Sequence, residues 1–243
     1  MKKLSVVVAA YDEEENAEPL LRRLHAALGS MAGWAWEVIF VVEGRDRTRE
    51  VLERLARELG GDVRILYREA PSGLGNAFRR GFAAVAADAD LVATLDADLN
   101  HQPEELPRLV AALEVRGADV LVGSRFLAGS TVLGTPAWKR LLSGIMNSLM
   151  RVLYGLRVAD KTSGFRVYRA AALRAIRFDN ANFAFLPEML IRAHQAGLRI
   201  AEEPIQFIFR RQGESKLRFW TTSLSYLKLL RTRFDRWSPA SRA

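Results

Sequence analysis

The sequence has no cysteine and only three histidines among its 243 residues. The missing cysteines exclude a disulfide framework and all thiolate chemistry, including zinc clusters and cysteine nucleophiles. His25, His101 and His194 lack the spacing of a metal site, and only His101 lies near an acidic candidate, Asp98. Chemistry based on thiols or on clustered histidines is therefore not expected.

Long apolar runs are also missing. No uninterrupted apolar stretch reaches the ~18–20 residues that span a bilayer, so any membrane contact must be peripheral. The basic and apolar start of the chain stops at Tyr11-Asp12-Glu13 without a credible cleavage site, which predicts a first core strand. Hydrophobic residues make up 49% of the chain, enough for the core of one large domain.

Short β-rich runs alternate with amphipathic helical patterns along the first half of the chain. The runs are residues 4–10, 36–42, 63–67, 91–95 and 120–123. Because they are apolar on both faces, they predict an α/β fold with a mostly parallel central sheet and helices on both faces. Polar clusters follow four of the runs, beginning at Tyr11, Glu43, Asp96 and Ser124, so one sheet edge is expected to collect the functional residues.

The second half of the sequence changes character. Helical patterns are predicted at residues 136–154 and 186–196, and a strand is predicted at 199–209. Residues 206–243 hold nine Lys or Arg against two acidic residues. Apolar residues recur there at helical spacing: Leu217, Trp220, Leu224, Leu227, Leu230, Phe234 and Trp237. We predict a basic amphipathic helix at 217–243 in a membrane interface; the alternative is a terminal helix packed on the domain.

Asp96 and Asp98 directly follow an apolar run, so a turn would present two carboxylates from one strand end. Such ligands suit Mg²⁺ or Mn²⁺, completed by the phosphates of a nucleotide diphosphate. A Gly-rich turn around Gly75 precedes a helical pattern, although alone it is more often a tight turn. Basic residues in loops and at strand ends are candidates for phosphate binding: Arg125, Lys139, Arg140, Arg166, Arg210 and Lys216.

Taken in order, these motifs resemble those of the inverting family 2 glycosyltransferases, within them the dolichol-phosphate mannose synthase and polyprenyl-phosphate glycosyltransferase branch. The resemblance covers roughly residues 3–220. It rests on motifs that begin at Val6, Gly73, Leu95, Gly123, Trp138, Thr162, Glu203 and Arg210. It implies a Rossmann-like GT-A domain at 1–216. Asp96, Asp98 and Arg125 are the implied catalytic residues, and Asp96, Asp98 and Asn100 are the implied metal ligands.

The resemblance also implies a set of substrate-binding residues, in which Tyr11 and Glu13 hold the nucleotide. The predicted set is Ala9, Tyr11, Glu13, Glu43, Gly75, Ala97, Arg140, Arg166, Arg210 and Lys216. One segment departs from the family pattern: the loop after the second strand is shorter and keeps only Glu43 and Asp46 as acids. Glu43 is therefore the candidate for the base-binding acid, or that acid is absent.

The function implied is inverting transfer of a hexose, mannose favoured, from a nucleotide-sugar to a polyprenyl phosphate. GDP-mannose is the favoured donor and a UDP-sugar the alternative. A phosphate acceptor is already an anion, so no general base is required; a sugar hydroxyl acceptor would need one, such as Asp98 or Glu188. Two rival functions stay open, a nucleotidyltransferase and an inactive nucleotide-sugar binding protein. We expect a cytoplasmic protein, peripheral on the inner face of the membrane and in contact with anionic lipid. No nucleic-acid partner is expected, because the C-terminal aromatic residues lie on the apolar stripe.

Overall fold

The computed structural model describes residues 1–209 and Leu229. Within them the chain forms these strands: β1 Lys2–Tyr11, β2 Trp34–Glu43, β3 Asp62–Arg68, β4 Leu91–Asp96, β5 Val120–Ser124, β6 Thr131–Leu133, β7 Arg166–Arg169, β8 Ile200–Pro204 and β9 Gln206–Ile208. The helices are α1 Glu14–Gly29, α2 Thr48–Leu59, α3 Leu74–Ala83, α4 Leu106–Arg116, α5 Ala137–Tyr154, α6 Ala170–Ala175 and α7 Phe185–Gln195, with a 3-10 turn at Pro103–Glu105. The helix predicted at 217–243, together with Arg210 and Lys216, lies outside the described residues.

In the described part of the chain, seven strands form the central sheet in the order β3-β2-β1-β4-β7-β5-β8. All neighbours are parallel except β7, which runs antiparallel between β4 and β5. The sequence rhythm of strand and helix predicts this mostly parallel α/β fold, and the structure confirms it. The antiparallel insertion of β7 and the small parallel pair β6-β9 were not predicted.

Apolar side chains fill both faces of the sheet, as the uniformly apolar strands require. Along β1, Val6 and Val8 face a core shared with α1 and α4, whereas Val7 faces the opposite core under α3 and α7. In this second core, Phe78 of α3 stacks on Phe185 of α7 with their ring centroids 5.1 Å apart. Both faces are therefore closed, which leaves the strand ends as the place for ligands.

Register brings the predicted polar clusters together at the carboxyl edge of the sheet. Ala9 of β1 pairs with Asp96 of β4, and Tyr11 pairs with Glu43 of β2. Strand β9 reaches the same edge, because Phe207 forms an isolated bridge with His101. The carboxyl edge of the sheet is thus lined by segments that lie far apart in sequence.

Candidate active site

The acidic pair lies at the carboxyl end of β4, in the middle of the sheet. Asp98 accepts hydrogen bonds from the backbone N–H of Asn100 at 3.0 Å and from the Asn100 side-chain amide. Between them Leu99 has a φ of 58°, a left-handed conformation that is uncommon outside glycine. This tight turn presents Asp98 beside Asp96 and makes Asn100 the residue that orients Asp98.

Asp96 is enclosed by the loop that leads into β7. A Cβ atom on Gly164 would lie 2.8 Å from both carboxylate oxygens of Asp96, so a larger residue there would force the Asp96 carboxylate to move. Thr94 fixes the loop by donating its hydroxyl to the Gly164 carbonyl at 2.7 Å. The Asp96 side chain nevertheless remains 31% exposed, so it is accessible to a ligand.

The two carboxylates are incompletely compensated by positive charge. Burial raises the pKa of Asp96 to about 7. The charge of Asp98 adds to this rise, and the charge of Arg125 opposes it. Burial also raises the pKa of Asp98, with the charge of Glu13 acting in the same direction. A bound cation would relieve both effects.

The donor set fits a divalent cation that prefers oxygen ligands. Among the described residues, no group of three or more His, Asp or Glu side chains forms a metal cage. Two carboxylates at one strand end are instead the kind of site in which substrate phosphates and water complete the coordination. Asp96 and Asp98 are the residues that would hold such an ion.

Arg125 follows β5 and is held by a buried acid, Asp160. The two groups form a bidentate pair, with Nε–Oδ2 at 2.7 Å and Nη2–Oδ1 at 2.8 Å. Arg125 also donates to the Thr162 hydroxyl and lies over the Phe207 ring, 5.1 Å from its centroid. Burial alone would raise the pKa of Asp160, but the Arg125 charge and hydrogen bonds hold that pKa below its ordinary value. A fixed positive charge therefore lies near Asp96.

Arg166, predicted to bind substrate, is fully buried instead. Its guanidinium donates to the carbonyls of Ser163, Leu186 and Lys161 at 2.8 to 2.9 Å. The prediction is corrected for a physical reason: Arg166 begins β7, which lies between β4 and β5 in the centre of the sheet. Arg166 ties the loop before β7 to α7 from inside the protein.

A further acid at the carboxyl edge of the sheet, Glu43 of β2, already has hydrogen-bond partners within the protein. Glu43 is 4% exposed, and its carboxylate accepts from the Ser72 backbone at 2.7 Å and from the Ser72 hydroxyl. Arg80 lies 3.5 Å away. In this structure Glu43 thus fixes the loop after β3. Tyr11 is exposed at the same edge, and Glu13 accepts from the Asn16 amide at 2.7 Å near the start of α1.

The Gly-rich turn packs against protein. The N–H of Gly75 donates to the Ala181 carbonyl at 2.7 Å, and a Cβ on Gly75 would meet the Asn180 carbonyl oxygen at 2.1 Å. The Gly75 N–H is therefore bonded within the protein, and a contact between Gly75 and substrate stays a prediction. Glu188 holds the segment before Ala181 by accepting from the backbone N–H groups of Asp179 and Asn180.

The remaining predicted residues in the described part of the chain fall in two places. Ala9 and Ala97 lie beside Asp96, with Ala97 buried. Arg140 is exposed near the start of α5. Asp160 and Gly164 were not among the predicted site residues. Both belong to the polar loop before β7, from which the sequence analysis predicts only Arg166 as a site residue.

Comparison with known proteins gives one consistent family. The profile of glycosyl transferase family 2 matches residues 5–177. The chain is 34% identical to the undecaprenyl-phosphate mannosyltransferase of Micrococcus luteus, over 88% of this chain and 87% of that protein. It is 34% identical to the polyprenol monophosphomannose synthase of Mycolicibacterium smegmatis, over 87% and 80% respectively. With the dolichol-phosphate mannosyltransferase of Pyrococcus furiosus it shares 32% identity, over 93% of this chain and 62% of that protein.

Solved structures agree on the fold. The glucosyl-3-phosphoglycerate synthase of Mycobacterium tuberculosis, crystallised with Mn²⁺, UDP-glucose and phosphoglyceric acid, superposes with a TM-score of 0.70 at 20% identity. That superposition covers 96% of this chain and 79% of the synthase. The central sheet and its covering helices are therefore those of a GT-A fold.

Proposed function

The chain belongs to glycosyl transferase family 2, and we propose that it transfers mannose from a nucleotide-sugar to a polyprenyl phosphate with inversion. GDP-mannose is the favoured donor, and a UDP-sugar is the alternative. The names of three relatives combine mannose with undecaprenyl phosphate, dolichol phosphate or polyprenol, which supports both the sugar and the acceptor.

The acidic pair at the end of β4 is the observation that carries the proposal. Asp96 and Asp98 would hold Mg²⁺ or Mn²⁺ against the donor diphosphate. The synthase of related fold that was crystallised with Mn²⁺ and UDP-glucose supports a divalent ion. When bound, the ion supplies positive charge to the diphosphate as it leaves. Asn100 orients Asp98 and stays a predicted third ligand.

Arg125 contributes to the same chemistry from the other side of the site. The charge of Arg125 opposes the rise in the pKa of Asp96, so Arg125 lies close enough to act on a ligand bound at Asp96. Asp160 holds its guanidinium in one orientation. We infer that Arg125 stabilises negative charge on a phosphate of the donor or acceptor, with its orientation fixed before the substrate arrives.

The acceptor is proposed to be a phosphate because Glu188, one of the two candidate bases for a hydroxyl acceptor, is already engaged in hydrogen bonds. An acceptor phosphate oxygen forms a bond to the anomeric carbon as the bond from that carbon to the diphosphate breaks, and no proton needs to be removed. Glu188, one candidate base for a hydroxyl acceptor, is 1% exposed and accepts from the backbone of Asp179 and Asn180. A buried acid in that role is poorly placed to take a proton from a sugar.

Helix α5 supports a membrane location for the acceptor. One face of this 18-residue helix exposes large apolar side chains: Trp138, Leu141, Leu142, Ile145, Leu149 and Val152. Such a patch on a protein surface indicates an interaction site, and a lipid acceptor requires a lipid surface. None of the described helices has the length and apolar character to cross a bilayer. We propose peripheral attachment at the cytoplasmic face of the membrane.

A vesicle sedimentation assay tests that attachment. Leu141→Gln combined with Ile145→Gln removes two large apolar contacts and is expected to weaken binding to anionic phospholipid vesicles by roughly tenfold or more. Val115→Gln, at an 88% exposed position on α4, is the matched control and should bind like the parent protein. Equal binding by all three proteins would contradict attachment through α5.

The function itself is tested by transfer of radiolabelled sugar from GDP- and UDP-sugars to polyprenyl phosphate in detergent. Lipid-linked product should require Mg²⁺ or Mn²⁺ and should be lost in Asp98→Asn. Asp88→Asn is the control, because Asp88 is an exposed acid that pairs with Lys3 away from the site.

The products distinguish the rival functions. Donor hydrolysis without lipid-linked product would favour a hydroxyl acceptor, and nucleotide-sugar binding without turnover would favour an inactive binding protein. Metal-independent transfer, or full activity in Asp98→Asn, would contradict the proposed role of the acidic pair.

A further inference from the structure

His101 is a buried histidine whose ring nitrogens have no hydrogen-bond partner among the described residues. It is 2% exposed, and both Nδ1 and Nε2 are inaccessible to solvent. Leaving such a polar group unpaired is unfavourable, so an unsatisfied imidazole in a native site requires an explanation. Its nearest acidic group is Asp96, with Nδ1 3.6 Å from the Asp96 Oδ2 oxygen.

Aromatic contacts fix the plane of this ring. Phe165 and Phe207 pack against His101 with centroid distances of 5.3 Å and 5.2 Å. The His101 backbone is also tied to Phe207 by an isolated bridge. The ring therefore has little freedom to turn toward other partners, and its Nδ1 lies 3.6 Å from the Asp96 carboxylate.

The position of the imidazole proton decides what His101 can do. A neutral imidazole carries one N–H, on either Nδ1 or Nε2. A ring with its proton on Nδ1 can donate to Asp96 Oδ2, and that bond would leave the other carboxylate oxygen for a cation.

We propose that His101 is a positioning residue, whose Nδ1–H donates to Asp96 Oδ2 and orients that carboxylate for the divalent ion. The present separation is ~0.7 Å longer than a usual hydrogen bond, and such contacts commonly tighten when a ligand binds. The ion in this inference rests on the proposed function, but the contact between His101 and Asp96 can be measured without an ion.

The first test uses the metal-free protein with no substitution at His101. Long-range ¹H–¹⁵N NMR of the imidazole rings distinguishes the two neutral tautomers, and the chain has only three histidines to assign. We expect His101 to be protonated on Nδ1, with a ring signal that moves in Asp96→Asn. An Nε2–H tautomer, or a signal unaffected by Asp96→Asn, would overturn the proposal.

The second test asks which nitrogen matters for the ion. In His101→Asn the side-chain amide nitrogen approximates Nδ1, in His101→Gln it approximates Nε2, and His101→Phe fills the aromatic space with no donor. Mn²⁺ binding in the presence of GDP or UDP is measured by electron paramagnetic resonance, after thermal unfolding has verified that each variant folds. We expect His101→Asn to stay within about threefold of the parent, and the other two to lose ~10–100-fold.

Failure of this proposal is distinguishable from failure of the proposed function. Parent-like Mn²⁺ affinity in His101→Phe, or equal losses in His101→Asn and His101→Gln, would assign His101 a packing role only. If the parent protein itself bound no Mn²⁺ and made no lipid-linked product, the proposed function would fail. The NMR result would still decide whether His101 donates to Asp96.

Discussion

Glu37 lies in the first half of β2 and Asp96 at the carboxyl end of β4, and the surroundings of the two acids differ. Glu37 is 1% exposed and accepts hydrogen bonds from the Ser5 hydroxyl, the Ala86 backbone and the Arg64 guanidinium. Burial alone would raise its pKa, but these partners hold the pKa of Glu37 below its ordinary value. Asp96 instead faces a second acid, and its pKa is raised to about 7.

The difference distinguishes an acid that stabilises the fold from one that we propose to be functional. The charge of Glu37 is satisfied within the chain, so its carboxylate stabilises the fold. The charge of Asp96 is left incompletely compensated, which costs stability but provides a place for a cation. Substitutions at the two positions should therefore have opposite consequences for activity and for stability.

The largest effect is expected from Asp96→Asn. Loss of the carboxylate should reduce sugar transfer by at least ~100-fold, because a charge that acts on the departing diphosphate is removed. The free energy of unfolding of the metal-free protein should stay the same or increase, because a repulsion is removed. Initial rates and urea unfolding, measured on the same preparation, test both parts. Reduced stability together with retained transfer would contradict the distinction.

Glu37→Ala should show the reverse pattern. The substitution leaves Ser5, Ala86 and Arg64 without their acceptor, and we expect the free energy of unfolding to fall by roughly 2–4 kcal/mol. Transfer by the folded fraction should remain within a few-fold of the parent. Glu53→Ala is the control, since its exposed pair with Arg49 should contribute little. Unfolding curves that coincide for the parent and Glu37→Ala would show that the buried network does not stabilise the fold.

Asp160→Asn should give an intermediate result, because Asp160 belongs to both classes. It is fully buried and paired like Glu37, but its partner is Arg125 in the active site. We expect a loss of ~1–2 kcal/mol in stability and about a tenfold lower transfer rate, since the guanidinium loses a charged partner but keeps one carbonyl oxygen. If the variant were less stable but transferred sugar at the parent rate, Asp160 would, like Glu37, serve only to stabilise the fold.

The acidic pair was predictable because its signal is local. An apolar run followed by Asp-x-Asp identifies both the buried strand and the place where it ends, and parallel pairing then predicts the shared edge. The same reasoning predicted the mostly parallel sheet and a helix over 136–154, which the structure has at Ala137–Tyr154. Each of these features depends on residues within one element and its immediate neighbours.

The surroundings of Arg166 and Gly75 could not be predicted from the sequence, because their partners are distant along the chain. Arg166 follows a polar loop and therefore resembles an exposed residue, but antiparallel insertion of β7 buries it in the centre of the sheet. Gly75 has the pattern of a phosphate-binding turn, yet its N–H is bonded to Ala181, more than one hundred residues away. Neither contact leaves a signal in the periodicity or the composition of the sequence.

The smallest effect predicted is a pH dependence that distinguishes the same two acids. The pKa of Asp96 rises from 3.8 to about 7 on folding, so the folded protein binds more protons between these values. Its contribution to stability is present below 3.8 and is lost as the pH rises toward 7. Glu37 has a lowered pKa, so its contribution is lost only as the pH falls through that lowered value.

His101 opposes the Asp96 effect in the parent protein, because its pKa falls from 6.5 to about 3 on folding and its contribution is lost as the pH falls below 6.5. The informative quantity is therefore the difference in unfolding free energy between Asp96→Asn and the parent, both metal-free. We expect this difference to grow by about 1 kcal/mol between about pH 5 and pH 7.5, allowing for solvent screening. Saturating Mn²⁺ and GDP should stabilise the parent more than the variant at the upper end of that range. A difference that is constant with pH would mean that Asp96 is compensated within the chain, as Glu37 is.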